Sequence, residues 1–64
     1  INRNILLNDM EAYAKTLKTG GIILFSGFYT EDIAAIEEAA NKQNMFLDYQ
    51  LERNNWASLK FIKK

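Results

Sequence analysis

Chemistry in this sequence must come from a short set of residues. Gly20-Gly21 and Ser26-Gly27 are small-residue pairs, Glu31, Asp32, Glu37 and Glu38 are carboxylates, Lys60, Lys63 and Lys64 form a basic tail, and Trp56 is the single tryptophan. Cys and His are absent. Thiol and imidazole nucleophile systems, zinc knuckles and disulfide scaffolds are therefore excluded together. A phosphate cradle needs glycines leading into a helix N-terminus, where free N–H groups face the anion. Gly20-Gly21 instead follow a helical pattern and precede a strand pattern, so they read as a helix C-cap and tight turn. Ser26-Gly27 sit where a nucleophile elbow would, but Leu24 occupies the first glycine position of G-x-S-x-G and no His base exists. At the carboxyl end of a parallel strand, where ligands approach α/β sheets, the pair reads as a candidate cleft rim. The plain alternative is a close turn. Glu31 and Asp32 beside it would repel an anion. A catalytic carboxylate pair needs a pocket that raises one pKa, and nothing around Glu37 and Glu38 supplies one, so a solvated helix face is expected. The basic tail is interrupted by Phe61-Ile62 and reads as charge placed at a strand end. Trp56 either stacks on a base or partner or packs over a hairpin end, the plainer reading.

These residues have little scaffold behind them. The 64 residues weigh 7.4 kDa, and a chain of this size buries only about 60% of the surface it exposes when unfolded. Eight Lys and Arg balance eight Asp and Glu, which argues against a strongly basic nucleic-acid binder. Hydrophobic residues at 48% and charged residues at 25% match globular usage. No run approaches the roughly 20 apolar residues of a membrane span, and no signal peptide is visible. Neither nucleic acid nor membrane is expected as a partner. The chain begins at Ile1 rather than Met, so a piece of something longer is expected.

The hydrophobic pattern predicts helix, strand, helix, strand, strand. Leu6, Met10, Tyr13 and Leu17, widened by Leu7 and Ala14, make a helical stripe over 4–18. Asn2 or Asn4 serves as its N-cap and Gly20-Gly21 as its left-handed stop. Ile22-Ile23-Leu24-Phe25 reads as a strand buried on both faces. Ser26 to Tyr29 leave the strand and Thr30 caps a second helix, with Ile33, Ile36 and Ala40 inward and an end near Asn41 to Asn44. Residues 45–53 alternate, and Ala57, Leu59 and Phe61 resume the alternation after Asn54-Asn55. Residues opposite one another in an antiparallel pair share a face. On that ground Leu51 is set against Leu59 and Tyr49 against Phe61, with an odd loop, Asn54-Asn55-Trp56 or five residues. Asp48, Gln50, Glu52 and Lys60 would then form a wet opposite face. The fold class is α/β, with a right-handed parallel crossover and a three-stranded mixed sheet whose last strand is antiparallel and central.

The run Leu17-Lys18-Thr19-Gly20-Gly21-Ile22-Ile23-Leu24-Phe25-Ser26-Gly27 resembles the L-K-P-G-G-x-L-x-x-S-G segment of class I S-adenosylmethionine-dependent methyltransferases. The opening Ile1 to Leu7 and the late Trp56-Ala57-Ser58-Leu59 are similar to the extreme C-terminal part of the bacterial lysine methyltransferases that act on the L-eleven protein of the large ribosomal subunit. The resemblance covers essentially the whole chain, and Thr19 departs from it where that family usually has Pro. It implies a Rossmann-like sheet in which residues 1–64 are the C-terminal portion of a catalytic domain, a single partial domain. It also implies a cytoplasmic enzyme that methylates amino groups of a ribosomal protein with S-adenosylmethionine. The Gly-rich loop and ribose-binding acid of that family lie outside the chain, so no cofactor is expected on this chain alone and no catalytic, cofactor-binding or metal residue is assigned. Ile1 resembles the Ile of the family's Ala-Asn-Ile triplet. The resemblance makes Ile22 to Phe25 the fifth strand of the family's sheet; Ile1 and its neighbour Asn2, with Ser26, Gly27 and Phe28 of the loop that follows that strand, are the candidate cleft rim. The alternative is a self-contained small α/β protein-interaction module without catalysis. A Gly-x-Gly-x-Gly loop upstream would favour the enzyme, and an initiator Met directly before Ile1 would favour the module.

The Ile22–Phe25 strand lacks a polar face. With one side uncovered and one edge unpaired, the chain is expected to form a homodimer, edge to edge through that strand or face to face across the uncovered side.

Overall fold

A computed structural model describes residues 3–64. Helix α1 spans Arg3–Lys15, strand β1 Ile22–Tyr29, a 3-10 turn Thr30–Asp32, helix α2 Ile33–Lys42, strand β2 Met45–Arg53 and strand β3 Trp56–Lys63. The sheet order is β1-β3-β2, and β3 is antiparallel to both neighbours. Every hydrogen-bonded pair is thus antiparallel. The expected mixed sheet is corrected to that extent: β1 and β2 run in one direction, but β3 lies between them.

The α1 stripe buries Leu6, Met10 and Ala14, with Tyr13, Leu7 and Leu17 packed at its margin. The helix stops at Lys15, earlier than the expected Lys18, and Asn4 lies inside its first turn rather than capping it; Asn2 is outside the described residues. Exposed end carbonyls need partners, and side chains provide them. Thr16 Oγ1 donates to Tyr13 O at 2.7 Å, and the partly buried Lys63 Nζ donates to Ala14 O at 2.8 Å. Gly20-Gly21 therefore do not cap the helix. Gly20, at φ +87°, is the third residue of a turn closed by Gly21 N–H donating to Lys18 O at 2.8 Å. Thr19 has negative φ, which makes this a type II turn, whose second position favours Pro. Thr19→Pro is expected to raise stability by about 0.4–1 kcal/mol through the unfolded chain. A thermal melt should show a higher midpoint, and a lower one would mean the turn has another geometry.

Two β-bulges decide which residues face the core. The turn between β2 and β3 holds two residues, Asn54 and Asn55, at φ 50° and 68°, the primed geometry that suits the strand twist. Arg53 accordingly pairs with Trp56, Gln50 with Leu59 and Leu51 with Ser58. The expected odd loop and the Leu51–Leu59 and Tyr49–Phe61 pairs are overturned. Parity is restored further along, where the ladder shifts at Asp48 and Leu47 then opposes Phe61. Met45 and Leu47 keep the core face, while Tyr49 and Leu51 turn to the other side at 58% and 57% exposure. The second bulge lies at Gly27, φ 88°, between Ser26↔Ser58 and Phe28↔Ala57. Strand β1 continues through it to Tyr29, past the expected end at Phe25.

Helices and sheet enclose one core. Phe25, Phe28, Ala57, Leu59 and Phe61 meet Leu6, Met10, Ala14, Ile36, Ala40 and Met45 there. Tyr13, Phe25 and Phe61 form a chain of rings with centroids 5.6 and 5.8 Å apart. On the far side Ile22 and Leu24 are 54% and 70% exposed. The strand expected to be buried on both faces is covered on one. Thr30 makes no side-chain cap, and it lies within the 3-10 turn; α2 starts after Asp32.

Candidate functional site at the carboxyl end of the first strand

The sequence-predicted residues Ser26, Gly27 and Phe28 occupy the last half of β1, and the structure separates their roles. The bulge at Gly27 gives β1 one extra residue, so that Phe28 points to the core and is 2% exposed, opposite Ala57. Phe28 holds the rim from below and offers almost no surface to a ligand. Ser26 and Gly27 stay exposed. They line a depression of about 270 Å³ with Leu51, Glu52, Arg53, Trp56, Ala57 and Ser58. A second depression of about 420 Å³ adjoins it at Gly27 and Trp56 and is bounded by Arg3, Asn4, Phe28, Tyr29, Glu31 and Asp32, so Phe28 borders it although the residue is almost wholly buried. Ile1 and Asn2, the other two predicted rim residues, lie outside the described residues.

Trp56 lines both depressions and is paired across the strands and stacked with Tyr29, which lines the second, the ring centroids 4.7 Å apart and the planes 23° from parallel. Offset rings at this spacing attract one another. The turn behind them is fastened by Thr30 N–H donating to Asn55 O at 2.9 Å. Trp56 is thus partner to Tyr29 at the hairpin end, close to the plain reading of its role. On the other flank Arg3 Nη1 lies 3.2 Å from Asp32 Oδ1, tying the start of α1 to the 3-10 turn. Arg3, Tyr29 and Arg53 were not singled out from sequence, and Asp32 was read only as a carboxylate beside the rim, not as the partner of Arg3. The Asn54-Asn55 turn was the signal that could have found Tyr29's neighbour, because it fixes Trp56 opposite Arg53.

The other candidates disperse. Glu37 and Glu38 lie along α2 beside an open depression, with Glu38 Oε1 3.7 Å from Lys42 Nζ. Lys60 Nζ is 3.3 Å from Asp48 Oδ2, and Lys63 is engaged with α1. Among the described residues no group of His, Cys, Asp and Glu is placed to hold a metal ion, and no buried side-chain polar atom lacks a hydrogen-bond partner. No helix of the described residues is long and apolar enough to cross a membrane. What remains is a strand end with small residues, two aromatics and an ion pair, a rim without a reacting group of its own.

No family model matches the chain. A protein of Porphyromonas gingivalis named ribosomal protein L11 methyltransferase is 54% identical over 61 residues, 95% of this chain. By sequence this chain aligns with the ribosomal protein L11 methyltransferases. A Phocaeicola vulgatus protein of the same name is 48% identical over 64 residues, and one of Bacteroides fragilis is 45% identical over 62 residues. The resemblance drawn from Leu17 to Gly27 and from Trp56 to Leu59 therefore extends over nearly the whole chain. The chain spans only about a fifth of these methyltransferases, 21% to 23% of their length.

Proposed function

We propose that residues 1–64 are the C-terminal portion of a methyltransferase catalytic domain, part of a cytoplasmic enzyme that methylates amino groups of a ribosomal protein. The observation that carries this reading is the 54% identity across 95% of the chain to a protein named for that activity. In this reading the α1-β1-α2-β2-β3 order is the end of a Rossmann-like sheet. Ser26 and Gly27 then stand on the substrate side of its cleft, with Phe28 bracing the rim, and Ile1 and Asn2 stay rim candidates by resemblance alone. S-adenosylmethionine supplies the methyl group to such an enzyme. The residues of this chain do not fit as its cradle. Of the glycines with positive φ, Gly20 serves a turn into a strand and Gly27 a bulge, and neither opens a helix N-terminus, where an anion-binding loop would need it. We assign the chain alone no activity.

Two measurements test this. The 64-residue chain should show no heat of binding with S-adenosylmethionine by calorimetry, whereas micromolar affinity would overturn the assignment. A polypeptide extended upstream to the length of the relatives should transfer methyl groups to ribosomal protein L11, read as a mass increase of that protein. A folded extended polypeptide that transfers none would favour the self-contained interaction module.

A further inference from the structure

The depression of about 420 Å³ is walled by three elements far apart in the chain: the first turn of α1, the end of β1 with the 3-10 turn behind it, and the start of β3. The 3-10 turn joins them. Its first residue, Thr30, donates its N–H to Asn55 O of the hairpin at 2.9 Å, and the Oδ1 of its last, Asp32, accepts from Arg3 Nη1 at 3.2 Å. Asp32 directly precedes α2, where an Asp side chain ordinarily accepts a hydrogen bond from an N–H of the helix's first turn. Here it makes no such bond. Its backbone is already helical, at φ −90° and ψ −8°, because the 3-10 turn runs straight into α2. Its carboxylate, 14% exposed, goes to Arg3 instead. Arg3 in turn lies ahead of the apolar stripe of its own helix. Arg3, Asn4 and Ile5 are exposed, and Leu6 is the first residue of α1 in the core. Apolar packing therefore holds α1 from Leu6 onward, and the ion pair reaches the turn before it.

We propose that Arg3 and Asp32 are a positioning pair for methyl transfer: their ion pair fixes the first turn of α1 against the 3-10 turn and so sets the opening of the depression that Gly27 and Trp56 border. The assignment rests on the reading of this chain as part of a methyltransferase. An ion pair with a half-exposed partner adds little to stability, so a carboxylate diverted from capping α2 to this pair serves geometry. A guanidinium–carboxylate contact is directional as well as attractive, and it fixes the orientation of the α1 turn together with its distance. The wall lies beside Gly27, on the substrate side of the rim. The pair therefore governs acceptance of the ribosomal protein and not binding of S-adenosylmethionine, for which this chain has no cradle.

The test uses the polypeptide extended upstream to the length of the relatives, with Arg3→Gln, Asp32→Asn and the two combined. Each single variant should lower kcat/KM for ribosomal protein L11 by about tenfold, because a small displacement of a substrate-holding wall is costly. Affinity for S-adenosylmethionine by calorimetry and the melting midpoint should stay at the parent's values. The double variant should lose no more than either single one, since both break the same pair. Single variants as active as the parent overturn the proposal. So do losses that add in the double variant, which would mean that each side chain acts on its own. Losses matched by a fall in S-adenosylmethionine affinity or in melting midpoint overturn it too, because they would indicate a general loosening of the fold. A parent polypeptide that transfers no methyl group is a separate result: it overturns the methyltransferase reading, and this proposal with it.

Discussion

Phe61→Ala is expected to abolish cooperative folding. Phe61 is fully buried in the central strand, opposite Ile23 on one side and Leu47 on the other. Its ring lies 5.8 Å from Phe25, which in turn meets Tyr13 of α1 at 5.6 Å. Removing it would open a cavity where the three strands and α1 converge, and Phe→Ala in such a position costs about 3–5 kcal/mol. Domains hold roughly 0.05–0.15 kcal/mol per residue, so a chain this size has on the order of 3–10 kcal/mol in total. The loss is comparable to the whole. Thermal denaturation followed by circular dichroism should lose its sigmoidal transition in Phe61→Ala and keep it, at a lower midpoint, in Phe61→Leu. A midpoint within a few degrees of the parent for Phe61→Ala would show that the core is not centred on β3.

Gly27→Val should be the next most damaging change, although Gly27 is exposed and Val suits strands. At φ 88° the residue occupies the left-handed region, where an L side chain costs about 1–2 kcal/mol and a β-branched one more. If the bulge is ironed out instead, Phe28 moves from the core face to the open face, losing about 1.5–3 kcal/mol of burial. Either way the urea midpoint should fall by an amount worth about 2–3 kcal/mol, with Gly27→Ala intermediate. Unchanged stability in Gly27→Val would mean that Phe28 reaches the core without the bulge.

How much of this was legible varies by element. The Leu6–Met10 and Ile36–Ala40 spacings marked the buried stripes of both helices, because a 3.6-residue period records which side faces the core. The alternation over 45–53 and the Asn54-Asn55 break marked the hairpin. Ser26-Gly27 stood out as small residues after an apolar run, but the sequence did not show that β1 continues through them to Tyr29. The companions of this rim were not legible. Arg3 and Asp32 are 29 positions apart and meet only through tertiary packing. Tyr29 and Trp56 meet only once the register of β1 against β3 is known.

By itself the sequence determined the order of elements, the apolar stripes, the hairpin and the resemblance to proteins named L11 methyltransferases, since each is written in local patterns of residue type. Only the tertiary structure decided the parity of the ladders. The Asn54-Asn55 turn demands one register and the burial of Met45 and Leu47 demands the other. An extra residue at Asp48 reconciles them. That single residue sends Tyr49 and Leu51 outward and makes apolar the sheet face that alternation alone would leave polar. The reason is geometric: a strand's period of two carries no record of where one residue is skipped, and only the partner strand, held by its own core contacts, supplies it.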